Sequence, residues 1–94
     1  MDNATEYATR MRAKLTEALR PSRLEIEDDS RRHAGHAGAG AEGETHFNII
    51  IVSDAFEGKS RVARQRQVYD IVADELRERV HALSLKTLTL AEDV

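Results

Sequence analysis

Residues Phe47 to Val52 read Phe-Asn-Ile-Ile-Ile-Val, a β-branched run that places apolar side chains on both faces of an extended chain. An edge strand in a half-solvated sheet would leave one of those faces in water, so the run specifies a central strand covered at least partly on each side. Every other element has to be arranged around it. A chain of 94 residues has room for one domain, 1–94, with a core made by two or three elements packed in layers and no deeply enclosed active site.

The flanking patterns supply those elements. Tyr7, Ala8, Met11, Leu15, Ala18 and Leu19 recur at helical spacing, with Arg10, Arg12, Lys14 and Glu17 on the other face, which predicts an amphipathic helix. Asn3 and Glu6 have capping-box spacing at its start, and Pro21 pushes Arg20 out of the helical region, stopping the helix near Leu19. Leu24-Glu25-Ile26-Glu27 alternates with period two and predicts the first strand. A turn over 54–59 contains Gly58. Ser60 then caps a second helix carrying Val62, Val68, Ile71, Val72, Leu76 and Val80 and running to about Arg79. Leu85 to Leu90 reads as a third strand.

The order α-β-β-α-β predicts a small α+β domain (α/β in the broad sense): a three-stranded mixed sheet with both helices on one face. The first two strands are expected to be antiparallel, with Phe47, Ile49 and Ile51 sharing a face. Between those strands, Ser30 to Glu44 holds four glycines and no periodicity. Such a segment is expected to be mobile or functional.

Composition narrows the chemistry. With 40% hydrophobic and 33% charged residues the chain is expected to fold. Its formal charge of −3 makes any anion site local rather than global. The chain has no cysteine, which excludes a disulfide framework, a thiol nucleophile and a metal centre held by its own thiolates. No apolar run approaches the roughly 18 residues of a membrane span, and no apolar signal segment opens the sequence, so no membrane contact and a cytoplasmic setting are expected. No glycine-flanked serine forms a nucleophile elbow, and the adjacent Asp28 and Asp29 diverge too much for an acid–base pair. The chain is therefore not expected to be an enzyme.

Two groups of residues remain. Histidine is the most frequent protein metal ligand, and the chain has four: His33 and His36 in the glycine-rich loop, His46 at the start of the central strand, and His81 just past the second helix. The loop pair can equally be solvated, His46 an ordinary half-buried strand residue, and His81 a helix-terminal cap. Lys59, Arg61, Arg64 and Arg66 put four positive charges into eight residues at the start of a helix. That can hold phosphate, or it can be a solvated basic face balanced by the acidic half of the same helix.

Taken together, Asp28-Asp29-Ser30 with His33, Glu44-Thr45-His46-Phe47, Val52-Ser53 with Phe56 and Gly58, Arg64 to Arg66 with Tyr69, Glu75-Leu76, and Val80-His81-Ala82-Leu83 resemble the BolA family, over about Leu15 to Leu90. The resemblance implies a fold similar to the type II KH domain. It also implies a monothiol glutaredoxin partner with which a [2Fe–2S] cluster is shared, histidine replacing thiolate as in Rieske centres. On this footing the glutaredoxin cysteine and a glutathione thiol supply sulfur. His81 and a loop histidine, His33 or alternatively His36, come from this chain, which by itself is expected to be a monomer binding no cluster. The family has also been described as DNA-binding transcriptional regulators. A KH clamp uses a Gly-x-x-Gly loop, whereas the corresponding turn here reads Phe56-Glu57-Gly58-Lys59-Ser60, and Gln65 stands where many members have histidine.

Overall fold

The computed structural model describes residues 6–29 and 45–94. Asn3, and the Ser30 to Glu44 segment with His33 and His36, lie outside the described residues. The elements are α1 (Glu6–Leu19), β1 (Arg23–Asp28), β2 (His46–Val52), a short 3-10 turn (Asp54–Phe56), α2 (Arg61–Ile71), α3 (Ala73–Glu78) and β3 (Ala82–Leu88). The sheet order is β1-β2-β3. β1 pairs antiparallel with β2, Leu24 opposite Ile51, and β2 pairs parallel with β3, His46 opposite Ala82. The Ile-rich run is thus the central strand, and the sheet is mixed.

Alternation divides β2 as expected. Phe47, Ile49 and Ile51 are buried against Met11, Leu15 and Leu19 of α1 and Val68 and Val72 of the second helical stretch. Each such side chain contributes about 1.5–3 kcal/mol by leaving water, which is why the helices share this one face.

Local signals act where the sequence places them. Ser60 caps α2, its side chain accepting from the Ala63 amide at 3.1 Å. Gly58 has φ 75°, a left-handed value that turns the chain into α2. At the end of α1 Arg20 takes φ 45°, closing the helix against Pro21 in the left-handed region. Buried Ser53 ties this corner together. Its hydroxyl donates to the Leu19 carbonyl at 2.6 Å, satisfying a helix-end acceptor, and accepts from the Ala55 amide at 3.0 Å.

Three expectations need correction. The second helix is not continuous to Arg79: it breaks at Val72, φ −105° and ψ 27°. The break falls at a β-branched residue, whose stiff side chain slightly lowers its helix propensity, and both Val72 and Glu75 are fully buried. Val62, assigned to the apolar stripe, is 60% exposed. The third strand begins at Ala82 and ends at Leu88, earlier than its threonine-rich pattern suggests, because parallel pairing with β2 sets its limits. Residues Thr89 to Asp93 form a hydrogen-bonded turn instead, with the Glu92 amide on the Thr89 carbonyl at 3.1 Å.

Candidate functional site

β2 and β3 run parallel and β1 returns antiparallel, so the start of β2, the start of β3 and the end of β1 meet at one end of the sheet. Backbone bonds close that end. The Asp29 amide donates to the His46 carbonyl at 2.7 Å, and the Thr45 carbonyl accepts from the His81 amide at 2.8 Å and from the Ala82 amide at 3.1 Å. The segment bearing His33 and His36 therefore leaves the described fold at Asp29 and rejoins it at Thr45, one hydrogen bond from His81.

His81 is exposed, at the junction of α3 and β3. Its ring centroid lies 6.4 Å from that of His46, the planes inclined by 44°. His46 is half-buried, with its Nδ1 2.9 Å from the Thr45 hydroxyl, a contact that orients the ring. It also borders a depression of about 140 Å³ shared with Asp29, Asn48, Ala82 and Ser84 on the sheet face away from the helices. No cluster of three or more metal-ligating side chains exists among the described residues. His46 and His81 are the two imidazoles that the described fold brings together at this end of the sheet, and imidazole nitrogen is a donor that suits iron, zinc or copper. By the alternation of its strand alone, His46 is an ordinary half-buried residue. Only the parallel register that sets it opposite Ala82, next to His81, makes it a neighbour of the candidate ligand.

The basic segment starts at the opposite end of the sheet, about one strand length or roughly 20 Å away along β2. Its four cations are not equivalent. Lys59, Arg61 and Arg66 are exposed, Lys59 with its Nζ 2.8 Å from the Gln67 side-chain carbonyl. The Arg64 side chain is only 11% exposed. It donates from Nε to the Lys59 carbonyl at 3.0 Å, and from one terminal nitrogen to the Thr87 carbonyl at 3.0 Å and to Glu92 at 2.7 Å. Arg64 therefore pins the turn before α2, β3 and the C-terminal turn to one another. Arg64, with the Thr89 amide as second partner, holds the Glu92 carboxyl down to about 2.

A second charged cluster, which the sequence reading did not single out, joins α1 to α3. Glu75 is fully buried and receives Arg10 at 3.0 Å and Lys14 at 2.9 Å, while Glu78 takes Arg10 at 2.9 Å and the Tyr7 hydroxyl at 3.0 Å. Arg10, then Tyr7, holds the Glu78 carboxyl down to about 2. The available signal was an acid on the buried stripe, following Val68 and Val72 at helical spacing. The Glu75 backbone carbonyl also accepts from the Arg79 and Val80 amides, at 3.1 and 2.9 Å, which ends α3 and delivers the chain to His81.

The family model described as BolA-like protein matches residues 15–92. The chain belongs to the BolA family. It is 55% identical over 87 residues to SufE-like protein 1, chloroplastic/mitochondrial, of Arabidopsis thaliana, covering 88% of this chain and 24% of that protein. It is 42% identical over 83 residues to the DNA-binding transcriptional regulator BolA of Escherichia coli (strain K12), covering 88% of this chain and 75% of that one. Among solved structures, the BolA domain of SufE1 from Arabidopsis thaliana superposes with a TM-score of 0.85 at 50% identity, over 95% of this chain and 98% of that chain. The BolA chain spans 24% of the SufE-like protein and 54% of a further Arabidopsis relative, Protein BOLA1, chloroplastic. Among the described residues no helix is long and apolar enough to cross a membrane.

Proposed function

We propose that this BolA-family chain pairs with a monothiol glutaredoxin and lends histidine ligands to a [2Fe–2S] cluster held between the two proteins, serving iron–sulfur cluster trafficking or iron and redox regulation without enzymatic turnover of its own. The observation that carries the reading is the exposed His81 held by its amide to Thr45, where the segment with His33 and His36 rejoins the fold. When bound, such a cluster supplies one-electron redox chemistry and a transferable iron–sulfur unit. The chain's part is to hold the His81 imidazole at the start of β3, where its amide is bonded to Thr45, and to supply a second imidazole from His33 or His36. Sulfur comes from the glutaredoxin cysteine and a glutathione thiol, since this chain has no cysteine. The isolated chain is then a monomer that retains no cluster.

The test is to mix the purified chain with a monothiol glutaredoxin, iron, sulfide and glutathione and to record visible absorbance and circular dichroism. A spectrum distinct from that of the glutaredoxin alone, with the two proteins co-eluting, supports the reading. An unchanged spectrum overturns it. We place the protein in the cytoplasm. Two Arabidopsis relatives are chloroplastic or mitochondrial proteins, and cell fractionation decides the point for this chain.

The competing reading is a DNA-binding regulator, favoured by similarity to the DNA-binding transcriptional regulator BolA of Escherichia coli and by exposed Lys59, Arg61 and Arg66. The ion pair of Arg64 with Glu92 counts against strong binding. Titration with duplex DNA over a range of salt separates the readings, because sequence-specific binding that persists at physiological salt belongs to a regulator.

A further inference from the structure

Arg64 presents a guanidinium fork whose anionic partner comes from its own chain. One terminal nitrogen meets Glu92 Oε1 at 2.7 Å and the other lies 3.4 Å from Oε2. The Glu92 carboxylate is itself positioned: the Thr89 amide donates to Oε1 at 2.8 Å, and the Glu92 amide donates to the Thr89 hydroxyl at 3.3 Å. The next residue, Asp93, anchors the same turn to Arg23 at 3.0 Å. The turn is thus tied at two points. Beside it, Arg61 and the β3 residues Leu85 to Leu88 line a groove of about 190 Å³, and exposed Lys59 and Arg66 stand on the same basic segment.

A guanidinium fork accepts a phosphate with the same two-point geometry as a carboxylate. A groove carrying positive charge, here from exposed Arg61 and Lys86 in its lining, is what tracks the backbone of a single nucleic-acid strand. We propose that Arg64 is the centre of a phosphate seat for single-stranded nucleic acid and that Glu92 of the same chain fills it, so that the C-terminal turn competes with the strand for the basic end of α2. Occupied by Glu92, the seat is closed and the segment binds with its exposed cations alone. Displacement of Glu92 by a backbone phosphate opens it. The seat is independent of the histidine end of the sheet and stands or falls apart from the cluster reading.

The test uses fluorescence anisotropy with a labelled single-stranded oligodeoxythymidine. Glu92→Gln should raise affinity about five- to tenfold at low salt, and should steepen the slope of log K against log salt by about 0.7, the increment for one added phosphate contact on a single strand. Asp93→Asn frees the same turn from Arg23, removes the same unit of charge and leaves Arg64 paired, so it should give a much smaller gain. The double variant Arg64→Gln/Glu92→Gln should lose the gain. Equal gains for Glu92→Gln and Asp93→Asn, or a gain that survives in the double variant, would make the effect one of net charge and overturn the seat. A readout on the unaltered chain guards against misfolded variants: the Thr89 amide resonance should shift as the oligonucleotide is added, because its Glu92 acceptor is displaced. A Thr89 amide that stays fixed while the oligonucleotide binds also overturns it.

Discussion

The backbone carbonyl of Thr45 accepts the amide of His81 at 2.8 Å, so the point where the 30–44 segment re-enters the fold and the candidate C-terminal ligand form one structural unit. This joint makes the histidines unequal. His81→Ala should abolish the histidine-ligated spectrum of the glutaredoxin heterodimer while changing stability by no more than about 0.5 kcal/mol, since the side chain is exposed. His33→Ala should weaken the spectrum less, because His36 lies three residues on, and His33→Ala/His36→Ala should approach the loss seen for His81→Ala. Visible circular dichroism and cluster lifetime measure all of these. A normal cluster in His81→Ala would reduce that residue to a helix terminator.

The Glu75 cluster should matter for stability. Glu75 is fully buried between Arg10 and Lys14. Glu75→Ala leaves two partly desolvated cations without their shared acceptor, at a cost of about 1–3 kcal/mol. Urea unfolding should show a lower midpoint with an unchanged slope. Equal stability of the variant would mean that Arg10 and Lys14 are fully compensated by Glu78 and Asp74.

Acid should destabilise the fold through named carboxylates. Glu78 and Glu92 are held down to about 2, by Arg10 and by Arg64 respectively, and Asp74 is lowered by Lys14. Their folded values lie below their unfolded ones, so the stabilisation is complete above the unfolded carboxylate range and is lost as pH falls from about 5 towards 2. Thermal midpoints should drop over that window, and Glu78→Gln/Glu92→Gln should flatten the drop. A midpoint independent of pH over the window would contradict the assignment.

Backbone effects should be visible at the turn into α2. Gly58 has φ 75° and open space around the position of an added Cβ, so Gly58→Ala meets no clash and costs only the left-handed conformation, about 1–2 kcal/mol. Ser60→Ala removes the cap on the Ala63 amide and should cost about 0.5–2 kcal/mol. Chemical denaturation of each variant checks both values.

Neutralising Lys59, Arg61 and Arg66 should lower any DNA affinity by the same factor on every sequence and reduce the salt slope, as phosphate contacts do. Anisotropy titrations on unrelated duplexes would show it. A loss confined to one sequence would point to base readout instead.

Period and punctuation made the elements legible. The Phe47–Val52 run announces a central strand because its apolar residues occupy both faces, and Ser60, Gly58 and Pro21 mark their turns because their chemistry is local. His81 and the basic segment could be singled out for the same reason, as residue types placed beside local signals. What no local pattern carries is which distant side chains meet. The pairing of His46 with His81 comes from the parallel register of β2 and β3, the burial of Glu75 from a break at Val72 that turns α3 onto α1, and the closure of Arg64 by Glu92 from a turn that replaces the expected end of β3. Periodicity reports which face of an element is apolar. Register, helix breaks and ion pairs depend on how those faces dock, and that is decided by packing contacts between residues far apart in the chain.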